Sequence, residues 1–155
     1  MPATSSRNEP KHIARLLAIQ YLFTYFENER KDSQYLYFEP NSLLSELEKS
    51  KYDTLLYEEI IDGVSKYKED IDSVIRKLAP AWPLEQINPI NLIILRVAIW
   101  EAFIAEFTPP KIVIDEAIEL DKALSSKESS SFINGVLANI YESDEIKNNL
   151  KKLVR

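Results

Sequence analysis

Apolar side chains recur along most of this chain at the three- and four-residue spacing of an α-helix. The first such stretch, Lys11 to Glu27, carries a wide apolar stripe, as expected for a helix that packs on two neighbours. A polar connector follows, and then a short helix after Pro40, because proline suits the first helical turn. Asp53 is positioned to cap the next helix, Thr54 to Leu78, in which Gly63 is expected to introduce a bend or a break.

The second half of the chain begins with a proline-rich break at Pro80 to Pro83, which is the predicted seam between two helical subdomains. Asn88 and Pro89 begin a helix to Glu106 that is apolar on almost every side, so it is the predicted centre of the second bundle. Three more helices are predicted: Lys111 to Leu124, Ser129 to Tyr141, and one capped by Ser143 that ends near Val154.

These patterns predict an all-α fold of about seven helices. A flexible tail is expected at residues 1–10, followed by a single helical domain at 11–155. Within that domain the N-terminal subdomain would cover residues 11–79 and the C-terminal subdomain residues 84–155.

Composition argues against catalysis. The chain has no cysteine and one histidine, His12, which excludes a thiolate nucleophile and a cysteine-based zinc site. No glycine-rich phosphate loop is present. Glu116 and Glu119 lie on one helix face without a neighbouring histidine, and one of them is the predicted ion-pair partner of Arg96, the only basic residue of the central helix. The sequence therefore predicts a protein that is not an enzyme and has no metal or cofactor.

Charge and hydropathy suit a cytoplasmic, soluble protein. The start of the chain has no signal-peptide core, and the apolar stretch Ile90 to Ile104 is too short and too charged to span a membrane. The net charge is −6, but residues 1–31 hold five basic side chains against three acidic ones. The negative charge thus lies in the body of the chain, and the mildly basic N-terminus indicates a chain that uses its two ends differently. The alternative from charge alone is that these basic residues form only a solvated face.

Four segments together resemble the NusB family of bacterial transcription antitermination factors, in order and spacing from Lys11 to Tyr141. They are Ala14 to Phe23, Ile94 to Glu101, Ile114 to Leu120 and Phe132 to Leu137. The resemblance implies a NusB-like bundle of two packed helical subdomains. It also implies a non-enzymatic factor that binds ribosomal protein NusE and, jointly with NusE, boxA-type single-stranded RNA. That assembly would join the RNA polymerase antitermination complex and promote read-through during ribosomal RNA transcription.

The resemblance also implies site residues. Those facing RNA would be Arg7, Lys11, His12 and Arg15 near the first helix, with Glu128, Ser131 and Phe132 at the start of a later one. Phe23 and Asn91 would contact the partner protein. Structural roles are expected for Arg96, Glu101 and Glu116, for Asn134 through hydrogen bonds between helices, and for Gly135 through close helix approach. Phe132 has a competing interpretation as a core aromatic.

The chain departs from the family pattern at the basic start of its first helix, where the compact arginine run is thinned to Lys11 and Arg15 around His12. Each lost cation removes a phosphate contact, so weak RNA binding by this chain alone is predicted. The alternative is a helical protein-interaction or oligomerisation module with weak or lost RNA binding, and a homodimer that covers the RNA face stays open. The same domain type occurs in ribosomal RNA cytosine methyltransferases, but no methyltransferase domain is expected here because nothing follows Arg155.

Overall fold

The computed structural model describes residues 9–28 and 52–154. Within these residues the chain forms six α-helices, and the predicted all-α fold is confirmed. They are α1 (Glu9–Asn28), α2 (Thr54–Leu78), α3 (Pro89–Ile99), α4 (Pro110–Leu124), α5 (Ser130–Tyr141) and α6 (Asp144–Lys151). Short 3-10 segments lie at Leu84–Gln86, Lys127–Ser129 and Lys152–Val154. Arg7 and the short helix predicted after Pro40 lie outside the described residues.

The chain divides into two compact units, residues 1–62 and 63–155, and the division falls inside α2. The Pro80 to Pro83 break, predicted to be the seam, instead separates α2 from α3 within the second unit. The reason is that the later part of α2 belongs with α3: Asp72 forms a bidentate ion pair with Arg96. A helix break marks where the backbone turns, whereas side-chain contacts decide which segments form one compact unit.

Three helix starts are capped by the residues that the sequence predicts. The side-chain Oδ1 of Asp53 accepts a hydrogen bond from the backbone N–H of Leu56 at 2.9 Å. Asn88 accepts one from Ile90 at 2.8 Å, and Ser143 accepts one from Ile146 at 3.2 Å. These bonds satisfy N–H groups that have no partner inside the helix, so the local sequence determines where α2, α3 and α6 begin.

The central helix is buried along almost its whole length, as predicted, but it is not α-helical throughout. After Ile99 the backbone widens into a π-helical segment, Trp100–Ile104, every residue of which is buried. The π-helical segment ends at Ile104, and Glu106, two residues later, has a φ of 56°. The N–H of Phe107 then donates to the carbonyl of Glu101 at 3.1 Å and closes the end of the helix. This pattern resembles a helix C-terminus that ordinarily has glycine at the left-handed position.

Gly63 has a different role from the one predicted. The non-helical residue inside α2 is Tyr67, with φ −104° and ψ 16°, four positions after the glycine. At Gly63 itself, a Cβ atom would overlap Nε1 of the Trp100 indole ring. Glycine is therefore needed here because the ring of a buried tryptophan lies against the helix backbone.

Candidate functional site

The start of α1 offers less positive charge than its sequence predicts. Lys11 is exposed and His12 is half-buried with an interaction partner inside the chain. Arg15 is only 4% exposed. A phosphate contact requires a cation that solvent can reach, so the prediction of Arg15 as a direct RNA contact is corrected. Of the cations predicted in this region, Lys11 is the one that the described residues present on the surface.

The turn between α4 and α5 brings together the other group of predicted RNA contacts. Glu128 lies in the 3-10 segment before α5 and is exposed, as is Ser131 in the first turn of the helix. Phe132 follows and is half-buried. Half-burial is compatible with both interpretations of Phe132, as a core aromatic and as an RNA contact, and both stay predictions. A partly exposed aromatic ring beside a hydroxyl is suited to stacking on a base and hydrogen bonding to it.

A buried polar network lies directly behind this turn. Asp121, at the end of α4, is 0% exposed. Its Oδ2 accepts hydrogen bonds from the hydroxyls of Ser129 at 2.5 Å and Ser130 at 3.3 Å. Its Oδ1 accepts one from Nδ2 of Asn91 in the first turn of α3. Neither Asp121 nor Ser129 was predicted as a functional residue, although Asp121 follows Ala117 by four positions on the inward face of α4.

Asn91 belongs to this buried network and does not lie on the protein surface. Its side chain is buried, and Nδ2 donates to Asp121 and to Oγ of Ser129, the latter at 3.1 Å. The prediction of a direct partner contact at Asn91 is therefore corrected, because both Nδ2 hydrogens are used inside the second unit. Phe23, the other predicted partner contact, is half-buried and interacts within the chain. Its role stays a prediction.

Arg96 has the buried carboxylate partner that its position requires, but that partner is Asp72. Nε of Arg96 lies 2.8 Å from Oδ1 of Asp72, and Nη2 lies 2.9 Å from Oδ2. The sequence analysis named Glu116 or Glu119 and did not identify Asp72. Arg96 and Glu116 each have a further interaction within the chain, so a contact of Arg96 with Glu116 stays a prediction. A bidentate arrangement satisfies both carboxylate oxygens, which is what a buried ion pair needs to offset its desolvation.

Two other predicted structural residues differ in their surroundings. Glu101 is 0% exposed, and its Oε2 accepts a hydrogen bond from the hydroxyl of Thr108 at 2.7 Å. Glu116 is half-buried and has an interaction within the chain. Both positions are compatible with the structural roles predicted for them.

Asn134 and Gly135 do not connect helices as predicted. Asn134 is exposed, and within residues 9–28 and 52–154 its side chain has no hydrogen bond. Around Gly135, apart from its two chain neighbours and the adjoining backbone of α5, no heavy atom of the described chain lies within 4 Å of where a Cβ would be. The described residues therefore give no support to a hydrogen bond between helices at Asn134 or to a close helix approach at Gly135.

Neither a membrane-spanning segment nor a metal site emerges from the described residues. No helix there is long and apolar enough to cross a membrane. The same residues contain no group of three or more histidine or acidic side chains that could hold a metal ion.

Comparisons with known proteins agree on the family. The model of the NusB family matches residues 12–142. Transcription antitermination protein NusB of Limosilactobacillus fermentum is 37% identical over 127 residues, which cover 81% of this chain and 88% of that protein. That protein is named as an antitermination factor, and the family has no enzymatic activity, as the sequence predicted.

Two solved structures agree on the fold. The T. maritima NusB structure has a TM-score of 0.68 and 26% identity, covering 91% of this chain and 98% of that chain. A chain in a structure described as the crystal structure of a plectonemic RNA supercoil has a TM-score of 0.65 and 25% identity, covering 83% and 91%. Sequence and fold give the same assignment: this chain belongs to the NusB family of transcription antitermination proteins.

Proposed function

We propose that this chain binds ribosomal protein NusE and, jointly with it, boxA-type single-stranded RNA, so that RNA polymerase reads through terminators during ribosomal RNA transcription. The observation that carries the proposal is the family match over residues 12–142. The similar chain from the plectonemic RNA supercoil supports the RNA half, because that structure is described by its RNA.

Charge supports joint binding over RNA binding by this chain alone. The net charge is −6, and burial of Arg15 leaves Lys11 as the exposed cation at the described start of α1. Affinity for single-stranded RNA rises with the number of phosphates neutralised. A surface with this few cations is therefore expected to bind RNA weakly. A second protein bound at the same time adds its own contacts to the RNA, and each ligand then strengthens the other by the same factor.

The start of α5 supports contact with bases more than with phosphates. Glu128 is exposed and negatively charged at neutral pH, so it disfavours a nearby phosphate. Ser131 and the half-buried Phe132 are uncharged groups that can pair with a base edge and stack on a base face. This end of the helix would therefore contribute selectivity for unpaired bases, whereas the basic N-terminus would contribute attraction to the backbone.

A protein-interaction module of the same fold, with weak or lost RNA binding, is the second candidate. The burial of Arg15 favours it, since one predicted phosphate contact is missing from the surface. Both candidates share the contact with NusE and differ only in RNA.

A fluorescence-anisotropy titration of boxA-type RNA separates the two candidates. The chain is titrated with and without its cognate NusE at two salt concentrations, and NusE capture is measured in parallel. We expect tight, salt-sensitive RNA binding only when both proteins are present. Capture of NusE without RNA binding would overturn the RNA half and leave the interaction module. A boxA sequence with its bases scrambled is the control for non-specific attraction.

A further inference from the structure

Asp121 is a buried carboxylate that no cation neutralises among the described residues. It is 0% exposed, and its partners are the amide of Asn91 and the hydroxyls of Ser129 and Ser130. Burial of a carboxylate is costly unless several donors surround it. Here three donors converge on the two oxygens, one from α3 and two from the adjacent residues Ser129 and Ser130, so the charge is satisfied only while α3 and the turn before α5 hold their positions.

The hydrogen atoms of this network can be assigned one by one. Nδ2 of Asn91 has two hydrogens, and the structure gives it two acceptors, Oδ1 of Asp121 and Oγ of Ser129. The single hydroxyl hydrogen of Ser129 has two acceptors within reach, Oδ2 of Asp121 at 2.5 Å and the carbonyl of Ser126 at 2.9 Å. A charged acceptor gives the stronger hydrogen bond, so the hydrogen goes to Asp121. A closed ring then connects α3, α4 and the turn before α5.

The ring ends directly at the proposed RNA contacts. Ser129 precedes α5 and Ser130 is its first residue, so Asp121 binds the two residues before Ser131 and Phe132. A negative charge at the start of a helix is also favoured by the helix dipole. We infer that Asp121 is a positioning residue: by binding Ser129 and Ser130 it fixes the α4–α5 turn so that Ser131 and Phe132 can meet an RNA base. This inference rests on the proposed function.

Two substitutions separate the positioning role from the charge itself. Asp121→Ala removes both acceptors, leaving Asn91 without one of its partners and Ser129 free to turn toward Ser126. Asp121→Asn keeps the size and one acceptor. Its amide can donate to Ser129, whose hydrogen then goes to the carbonyl of Ser126, already 2.9 Å away. The asparagine variant therefore retains a closed ring and the alanine variant does not.

The test measures boxA-type RNA binding by each variant together with NusE, at two salt concentrations. We expect Asp121→Ala to weaken RNA binding about tenfold and Asp121→Asn to stay within about threefold of the unmodified chain. The salt dependence should be unchanged in both, because no phosphate contact is lost. Backbone amide hydrogen exchange over residues 125–131 should become faster in the alanine variant alone, and NusE capture should be retained.

Ile146→Ala is the matched control, because Ile146 is a buried residue of α6 outside the network, and its loss lowers stability without touching the turn. Thermal unfolding verifies that every variant is folded at the assay temperature. RNA binding by Asp121→Ala as tight as by the unmodified chain would overturn the inference, as would an equal loss in Ile146→Ala. If the unmodified chain together with NusE binds no RNA, the RNA half of the proposed function fails, and the positioning role for RNA fails with it. Hydrogen exchange still reports in that case whether Asp121 orders the turn.

Discussion

Arg96 of α3 binds both carboxylate oxygens of Asp72 on α2, with its Nε 2.8 Å from Oδ1 and its Nη2 2.9 Å from Oδ2. The two side chains are 7% and 2% exposed. Nζ of Lys68, one helical turn before Asp72, lies 3.7 Å from Oδ2 of Asp72. Because water cannot replace either partner at this depth, the pair is expected to be costly to break from one side only.

Removal of Asp72 should destabilise the protein strongly. Asp72→Ala leaves the Arg96 guanidinium buried without its bidentate partner, and we expect a loss of about 3–5 kcal/mol in the free energy of unfolding. Replacement of both residues by apolar ones, Asp72→Leu with Arg96→Met, should recover part of that loss, because the buried guanidinium is removed together with its bidentate carboxylate. Urea unfolding measures both variants. A single variant as stable as the unmodified chain would contradict the prediction.

The ion pair of Lys77 and Glu145 is the matched surface control. Its atoms are 3.6 Å apart, and its side chains are 63% and 76% exposed. Glu145→Gln should change the free energy of unfolding by less than about 1 kcal/mol, since solvent and salt screen an exposed pair.

The two glycines should respond in opposite directions to the same substitution. At Gly63 a Cβ would overlap the Trp100 indole, so Gly63→Ala should destabilise by about 1–3 kcal/mol despite the better helix propensity of alanine. At Gly135 a Cβ would meet no described atom beyond its own stretch of helix, so Gly135→Ala should stabilise by about 0.5–1 kcal/mol. Urea unfolding of both variants tests the pair. A Gly63→Ala variant that equals or exceeds the stability of the unmodified chain would contradict the packing explanation.

Local sequence was sufficient for most of the fold. The caps at Asp53, Asn88 and Ser143 are bonds to a backbone two or three residues away, so a short segment contains all the information they need. The π-helical segment Trp100–Ile104 was not predictable in this way. Its wider turns depend on the side chains that surround the central helix on every side. The apolar pattern of Trp100–Ile104 would be the same for an α-helical and a π-helical backbone.

The residues of the candidate site were harder to predict than the helices, because their roles depend on contacts between segments that are distant in sequence. Arg96 clearly needed a carboxylate, but Asp72 is 24 positions away and only the fold identifies it. Arg15 looks like a surface cation in a basic stretch, and the structure buries it. Asp121 could have been found from one signal, an acidic residue at an inward position of an amphipathic helix, which requires donors from elsewhere.

Tyr57 should make the protein less stable at high pH. Burial, followed by the nearby Tyr52, Tyr21 and Glu58, raises the pKa of its hydroxyl from 10.0 to about 12. The folded protein therefore holds this proton more tightly than the unfolded chain does. That contribution is fully present below about pH 10 and is lost as the pH rises through about 12. Stability measured against pH should fall less steeply over this interval in Tyr57→Phe, and parallel curves for the two proteins would refute the effect.

Glu106→Gly should stabilise the protein. Glu106 has a φ of 56°, a left-handed conformation that costs a residue with a Cβ about 1 kcal/mol or more and costs glycine little. The substitution also removes the contact of Glu106 with Lys151, at 3.6 Å, but both side chains are about half exposed and contribute little. Glu106→Ala loses the same contact and keeps the strain. A higher thermal unfolding midpoint for Glu106→Gly than for Glu106→Ala would isolate the effect of the left-handed backbone. Equal midpoints would exclude that effect.

Lys11 and Arg15 should differ in what their removal changes, if the proposed function holds. Lys11 is exposed, so Lys11→Gln should lower the slope of log affinity against log salt for boxA-type RNA by about 0.7, the value for one phosphate contact on a single strand. Arg15 is 4% exposed, so Arg15→Gln should leave that slope unchanged and lower the free energy of unfolding instead. Titrations with NusE present, together with urea unfolding, measure both quantities for each variant. A reduced slope in Arg15→Gln would mean that its guanidinium reaches RNA after all, and that the surface of α1 changes when RNA binds.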